Sequence, residues 1–330
     1  MMSLTEREGA GKKETTCAAK ERKTQTTANG NNMNILKKHL VPNKHLENHF
    51  NHFVHAMEYF YKATSMVLEG ETDGLILGGH SHHYVKDFVE SISTMSQINI
   101  GASAGELAVL ENTIEVTTSP EWDPDTFDNS IRNWFLSPES ARKIRRHIIS
   151  AQKKSRTSPS IGIINRSELN KRRLVNSEEL KSSIKKVFNI EVEETTFDNL
   201  SFSEQVCFCD SHDIIISPHG AQICSIPFMP DYGLLVEICH RDYYRPAYFR
   251  ELALRSGKSY MIACDTHEEE LLNKWRYEPE SEQFNARCLG RSKNVSISIN
   301  KFIPAIERFL NTRNTNIQNN DYHKVTSFIL

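Results

Sequence analysis

The segment Ile214-Ile215-Ile216-Ser217-Pro218-His219-Gly220-Ala221-Gln222 stops an apolar run abruptly at a histidine, a glycine and a small residue. With Gly220 admitting a tight turn and Ala221 opening a helix, such a strand end aims backbone N–H groups into the crevice beyond it. A pyrophosphate is stabilised in that position. His219 adds a group that donates to a phosphate oxygen and carries a proton as charge builds on a leaving group. On spacing alone, Ser217 to Ala221 reads either as this phosphate cradle or as an ordinary strand-to-helix bend.

Arg166 stands two residues past the apolar run Ile161-Gly162-Ile163-Ile164, and Lys171, Arg172 and Arg173 follow it. A guanidinium at the end of a parallel strand is suited to a bidentate grip on a diphosphate. The alternative is a solvated basic loop. Glu237 is the only acid in the run Leu234 to Ile238. It reads either as an acceptor for ribose hydroxyls or as a strand-terminal residue facing water. His45, His49, His52 and His55 share helical spacing, with His80, His82 and His83 further on. Zinc would call for an HExxH pattern or paired cysteines, and neither is present. A single histidine of this helix acting as general base suits the pattern better. Asp123-Pro124-Asp125 matches an Asp-x-Asp metal motif formally, but it sits in a Pro-rich loop (Pro120, Pro124) and reads as a turn, so no metal is assigned to it.

The elements that must position these groups are clearest in the second half. Apolar runs predict strands at 160–164, 190–195, 213–216, 234–238 and 259–264. Asn176 with Glu179, and Ser201 with Glu204, have capping-box spacing and predict two helix starts. A short helix is expected over 222–228 and another from about Arg245 to Arg255, stopping at Gly257. Strands apolar on both faces and alternating with helices imply a covered parallel sheet, a Rossmann-like domain. In the first half, Leu46, Phe50, Phe53, Met57 and Phe60 mark an amphipathic helix, Gly74 to Leu77 a strand and Tyr84 to Met95 a helix. A basic helix from Ser137-Pro138 to about Lys153 is the expected connection.

The domain reading is therefore a disordered tail over 1–33, an α/β domain over 34–150, a Rossmann-like domain over 151–310 and a frayed tail over 311–330. The two α/β domains are expected to face one another across a cleft. With 40 basic and 42 acidic residues, the chain has no bulk charge to drive nucleic-acid or membrane-surface binding. No apolar run approaches the roughly 20 residues needed to span a bilayer. Met1 to Asn32 lacks the apolar core of a signal peptide, which makes the cytoplasm the default compartment. Seven cysteines without a CxxC pair read as reduced, buried thiols. The sequons at Asn165, Asn199 and Asn294 read as chance without a secretory leader.

Taken together, these blocks resemble glycosyltransferase family 61, whose members include EGF-domain O-GlcNAc transferase and plant β-1,2-xylosyltransferase. The resemblance runs from about Ile161 to Cys264. It is carried by Asn165-Arg166, Arg172 to Asn176, Leu200-Ser201-Phe202-Ser203-Glu204-Gln205, Asp213 to Gln222, Phe228-Met229-Pro230 and Val236-Glu237-Ile238. It implies a GT-B fold and an inverting, metal-independent transfer from a nucleotide-diphosphate sugar, a UDP-sugar of GlcNAc or xylose type, to a glycan or glycoprotein hydroxyl. In that reading Arg166 with Arg172 or Arg173 holds the diphosphate, and His219 with the Gly220 and Ala221 amides completes the site. Glu237 holds ribose or braces the loop, and Glu204 joins the donor side. Members of the family are often luminal in the ER or Golgi.

Asn48 to His55 resembles the family's N-terminal Asn…His-aromatic segment, with one departure. Where relatives place an acid three residues beyond the histidine, this chain has His55, with Glu58 one turn on. The acceptor base is then His55, His52 or Glu58. The competing reading is a catalytically degenerate protein of the same fold that binds nucleotide sugar or glycan. A histidine-based metallohydrolase is the third.

Overall fold

The computed structural model describes residues 138–149, 158–167, 171–243, 246–264, 286 and 288–319, with the short strands 39–42, 74–77, 99–100, 113–116 and 327–329. Four of these strands, β1 (His39–Pro42), β2 (Gly74–Leu77), β3 (Asn99–Ile100) and β4 (Thr113–Val116), form a parallel sheet in the order β3-β2-β1-β4. The expected strand at Gly74 to Leu77 is β2. The expected helices over 46–60 and 84–95 lie outside the described residues.

The second sheet has six strands, all parallel: β5 (Ile161–Asn165), β6 (Val192–Thr196), β7 (Ile214–Pro218), β8 (Leu234–Cys239), β9 (Ser259–Cys264) and β10 (Ser327–Ile329). Their order is β10-β9-β8-β7-β5-β6. The described helices are α1 (Pro138–Ile148), α2 (Ser177–Phe188), α3 (Phe202–Ser211), α4 (Pro246–Arg255) and α5 (Ile299–Asn319), with a 3-10 helix over Ala221–Phe228.

Strands β5, β7 and β8 are buried throughout because both faces of the sheet are covered there, while the edge strand β6 is half-exposed. On one face Ile161, Ile163, Ile214, Ile216, Leu234, Val236 and Ile238 share a core with Leu180 and Ile184 of α2 and with Phe302, Ile306 and Phe309 of α5. The other face meets α3, where a Cβ on Gly162 would lie 2.8 Å from the Phe208 and His212 rings. The 3-10 helix packs there against α1, α3 and α4. Glu237 alternates with Val236 and Ile238, so it points to this second face.

Strand order explains where a ligand would bind. The chain leaves β5 toward β6 at one edge, returns to β7 on the other side of β5, then runs outward through β8 and β9. The carboxyl ends of β5 and β7 are thus neighbours whose onward connections diverge. In open α/β sheets that switch point is the ligand crevice.

Three expectations are revised. Asn176 precedes α2 as expected, but its side chain forms no cap; it donates to Ile297 O and accepts from Ile297 N instead. The Ser201–Glu204 capping box does form. The tail expected to fray from residue 311 is helical to Asn319, and β10 pairs with β9. Burial of the Phe302-Ala305-Ile306-Phe309 stripe outweighs the asparagine-rich composition that argued for fraying. The boundary near residue 150 assigns α1 to the first half. Arg145 instead ties α1 to Asp210 of α3 and to Phe228 O, so by contact α1 belongs with the six-stranded unit.

Candidate functional site

At the end of β5, Asn165 and Arg166 divide the work of structure and chemistry. Asn165 is buried. Its Oδ1 accepts from Arg166 N and Leu174 N, each at 2.9 Å, and its Nδ2 donates to Leu174 O and Glu194 Oε1. One side chain therefore ties the strand end to the basic loop. Arg166 then leaves the sheet and donates from Nη1 to Gln222 Oε1 at 3.2 Å. A Cβ on Gly220 would stand 2.5 Å from that Nη1 and closer still to Gln222 Oε1, so glycine is what lets the two side chains meet above the turn.

Arg172 reaches the same place from the loop. Its backbone is left-handed, φ 67, an arrangement uncommon for a residue with a side chain. Strain of this kind persists where surrounding structure over-determines it. Here the loop is held by Asn165 and by a parallel bridge from Leu174 to Val295. The Arg172 guanidinium carbon lies 5.3 Å from the centre of the Tyr243 ring.

The turn itself separates a structural serine from a presented histidine. Ser217 is wholly buried, with Oγ donating toward Ile164 O and accepting from Gln222 Nε2. Gly220 is extended and its carbonyl starts the 3-10 helix. His219 Nδ1 is bonded to Glu237 Oε1, and Tyr260 donates its hydroxyl to Glu237 Oε2 at 2.6 Å. With Glu237 accepting at both oxygens, Nδ1 carries the proton and Nε2 is the ring's second polar atom. The Tyr243 and Phe249 rings pack edge-on against the imidazole, 4.9 and 5.1 Å between centres. These contacts fix one orientation.

The electrostatics of this corner are lopsided. Burial pushes the Arg172 guanidinium down to about 10, Arg166 beside it adds to the effect, and Tyr243 opposes it. Burial also lowers Arg166, where Asp198 and Tyr243 offset part of the cost. Neither guanidinium is ion-paired with a carboxylate among the described residues, and the Nε atoms of both are buried without a hydrogen-bond partner. Two cations drawn together out of water in this way are suited to an anion that answers both.

Of the residues expected at the donor site, Arg166, Arg172, Ser217, His219, Gly220 and Ala221 meet at the carboxyl ends of β5 and β7. The ribose role for Glu237 is corrected: the side chain has no exposed surface and both oxygens are engaged inside the protein, so it braces His219. Glu204 is spent on the α3 cap, its carboxylate bonded to Ser201 N and Oγ. Arg173 contributes its backbone to Asn294 and Val295, one residue beyond the Arg172 side chain that stacks on Tyr243. His52, His55, Glu58 and the rest of the histidine group lie outside the described residues. Tyr243, Gln222, Asn165 and Tyr260 were not among the expected site residues. Only Asn165 and Gln222 carried a signal, as neighbours of Arg166 and of the turn.

His219, Glu237 and Cys239 each offer a metal-ligating atom, all within 4.8 Å of one another. An ion there would have to break the His219–Glu237 bond and compete with Tyr260, so the present hydrogen bonds describe the cluster better. Glu237→Gln is accordingly expected to destabilise the protein by about 1–3 kcal/mol, because one of two buried donors then faces an amide nitrogen. Urea unfolding checks this. Unchanged stability with altered nucleoside affinity would restore the ribose role.

Among the described residues, no helix is long and apolar enough to cross a membrane. No curated protein matches the chain. Among solved structures, the bacterial iron-containing dodecameric glycosyltransferase TibC from enterotoxigenic E. coli H10407 is similar at 11% identity and a TM-score of 0.39, covering 84% of this chain and 77% of that one. The family model for glycosyltransferase 61 matches residues 82–235, a span that takes in Arg166, Arg172 and the whole Ser217–Gln222 turn. Over that segment the chain is similar to glycosyltransferase family 61.

Proposed function

We propose that this chain transfers a sugar from a UDP-sugar to a hydroxyl of a glycan or glycoprotein acceptor, with inversion and without a metal ion. The observation that carries the reading is the pair of half-buried guanidiniums, Arg166 and Arg172, neither salt-bridged among the described residues, at the β5/β7 switch point beside an oriented histidine. In this reading the diphosphate lies across the two arginines and the Gly220–Ala221 turn. The acceptor oxygen bonds to the anomeric carbon as the bond from that carbon to the phosphate oxygen breaks. The electron pair departs with the diphosphate, where the arginines and His219 Nε2 meet the developing charge. The acceptor proton passes to a base from the first half of the chain, His52, His55 or Glu58. The GT-B arrangement, with the four-stranded and six-stranded units facing across a cleft, is part of the proposal, as is a division into two domains with α1 on the six-stranded side.

Arg166→Ala and His219→Ala test it. Each removes a hydrogen bond to a charged oxygen, so UDP affinity is expected to fall about tenfold or more while the fold stays intact. Calorimetry with UDP, and circular dichroism for the fold, read the result. Wild-type affinity in both variants would sink the donor site as drawn. A second reading, a binding protein without turnover, is favoured by His55 standing where relatives place an acid. Release of UDP from donor sugar by the wild-type chain separates the two.

A further inference from the structure

Two segments remote in sequence are sewn together beside the arginines. Val175 N donates to Val295 O, Val295 N donates to Arg173 O, and Arg173 N donates to Asn294 Oδ1, at 2.9, 2.9 and 3.1 Å. Asn176 extends the seam by its paired bonds to Ile297. The Leu174–Val295 pairing is parallel, so the residues just before each segment emerge at the same end. Those residues are Arg172 on one side and Arg291 on the other.

Gly290 fixes the second approach. It is buried, and a Cβ there would stand 2.8 Å from Asp242 C and 2.9 Å from Tyr243 N. Only a residue without a side chain lets this stretch lie against the backbone that carries Tyr243. The consequence is that Arg291 places its guanidinium carbon 5.7 Å from the centre of the Tyr243 ring, whose other cation is Arg172 at 5.3 Å. The charge of Arg291 is felt at both Arg166 and Arg172. Two of these three neighbouring like charges thus share one aromatic ring, and Arg291 is the exposed one among the three. An arrangement that costs repulsion in the free protein is repaid when a polyanion arrives.

We propose that Arg291 is a third cation for the diphosphate, delivered from outside the matched family segment by Gly290 and aligned with Arg172 by the Tyr243 ring. The proposal rests on the donor site described under Proposed function and deepens it. Because Arg291 is exposed, it stands at the rim of the site, where it meets the phosphates after the half-buried pair has engaged them. Its contribution belongs to phosphate charge and not to the nucleoside.

Arg291→Ala, assayed by calorimetry with UDP, inorganic pyrophosphate and uridine, tests this. The expected result is roughly tenfold weaker UDP and pyrophosphate binding, a shallower dependence of UDP affinity on salt, uridine binding unchanged and a melting temperature within a degree or so of wild type. Gly290→Val is the positional counterpart. It keeps Arg291 but displaces it, and is expected to show the same loss for pyrophosphate. Wild-type pyrophosphate and UDP affinities in Arg291→Ala would overturn the role of Arg291 while leaving the donor site standing. Failure of the wild-type protein to bind either UDP or pyrophosphate would overturn both.

Discussion

Replacing Arg172 by methionine is expected to raise the melting temperature of the ligand-free protein and to weaken UDP binding on the order of a hundredfold or more. The two effects have one cause. Burial holds this guanidinium at about 10, well below where a solvated one titrates. A cation whose value is lowered by folding destabilises the folded state at every pH below the lowered value, and the penalty is relieved as pH rises from about 10 toward the ordinary guanidinium value. At neutral pH the full penalty applies. The difference stands for at most roughly 3 kcal/mol, and about 1–2 kcal/mol is the reasonable expectation once water at its partly exposed head is allowed for. Methionine keeps the stem's packing and removes the charge, so a rise of several degrees follows. The left-handed backbone is common to both residues and cancels. In the proposed donor site a diphosphate would supply the missing counter-charge, so the same half-buried group that costs the free protein would favour the complex. Arg166 shows a smaller version of the balance because Asp198 already offsets part of its burial. Thermal melts with and without UDP, and calorimetric titration, read both arms. A lower melting temperature combined with unchanged UDP affinity would mean that Arg172 is structural.

Much of this site was legible in the sequence for a specific reason. Its centre is built where buried parallel strands end, and strands covered on both faces leave continuous apolar runs such as Ile214 to Ile216 whose ends can be counted to the residue. Arg166 and His219 were found by that counting. Glu237 was found as the one acid in such a run, but its role was not. Alternation places it on the face of α3 and the 3-10 helix, and only the positions of His219 and Tyr260 show that the carboxylate is consumed inside the protein. Tyr243 and Arg291 were illegible because each lies in a short connection without periodicity. The need for glycine at position 290 comes from backbone nearly fifty residues earlier in the chain. Helix α5 did carry a signal, the 3-and-4 spacing of Phe302, Ala305, Ile306 and Phe309. Pro304 and the asparagine run beyond it pointed the other way, and packing against α2 decided the outcome.

The end of that helix carries the second large effect. Asp213 → Ala is expected to destabilise the protein by about 3–5 kcal/mol without changing UDP affinity. Asp213 opens β7 at the end opposite His219. Its Oδ1 pairs with Arg313 Nη2 at 2.6 Å, and its Oδ2 accepts from Ser160 N and Ser160 Oγ at 3.0 and 3.1 Å. The side chain thus joins α5 to the starts of β5 and β7. Both partners are largely shielded, Asp213 at 9% and Arg313 at 16% side-chain exposure. Alanine would leave a half-buried guanidinium without its carboxylate and strip Ser160 N of its side-chain acceptor. Losing one partner of a shielded pair costs more than losing both, because the survivor keeps its desolvation cost. Arg313→Ala is expected to cost less than Asp213→Ala, since Asp213 retains both bonds to Ser160. The double variant should therefore lie closer to Asp213→Ala than the sum of the single changes. Urea unfolding of the three variants reads this cycle, and calorimetry with UDP confirms that the distant donor corner is intact. Additive losses would show that α5 is not anchored through this pair. A matching loss of UDP affinity would show that the base of the sheet and its ligand crevice are coupled.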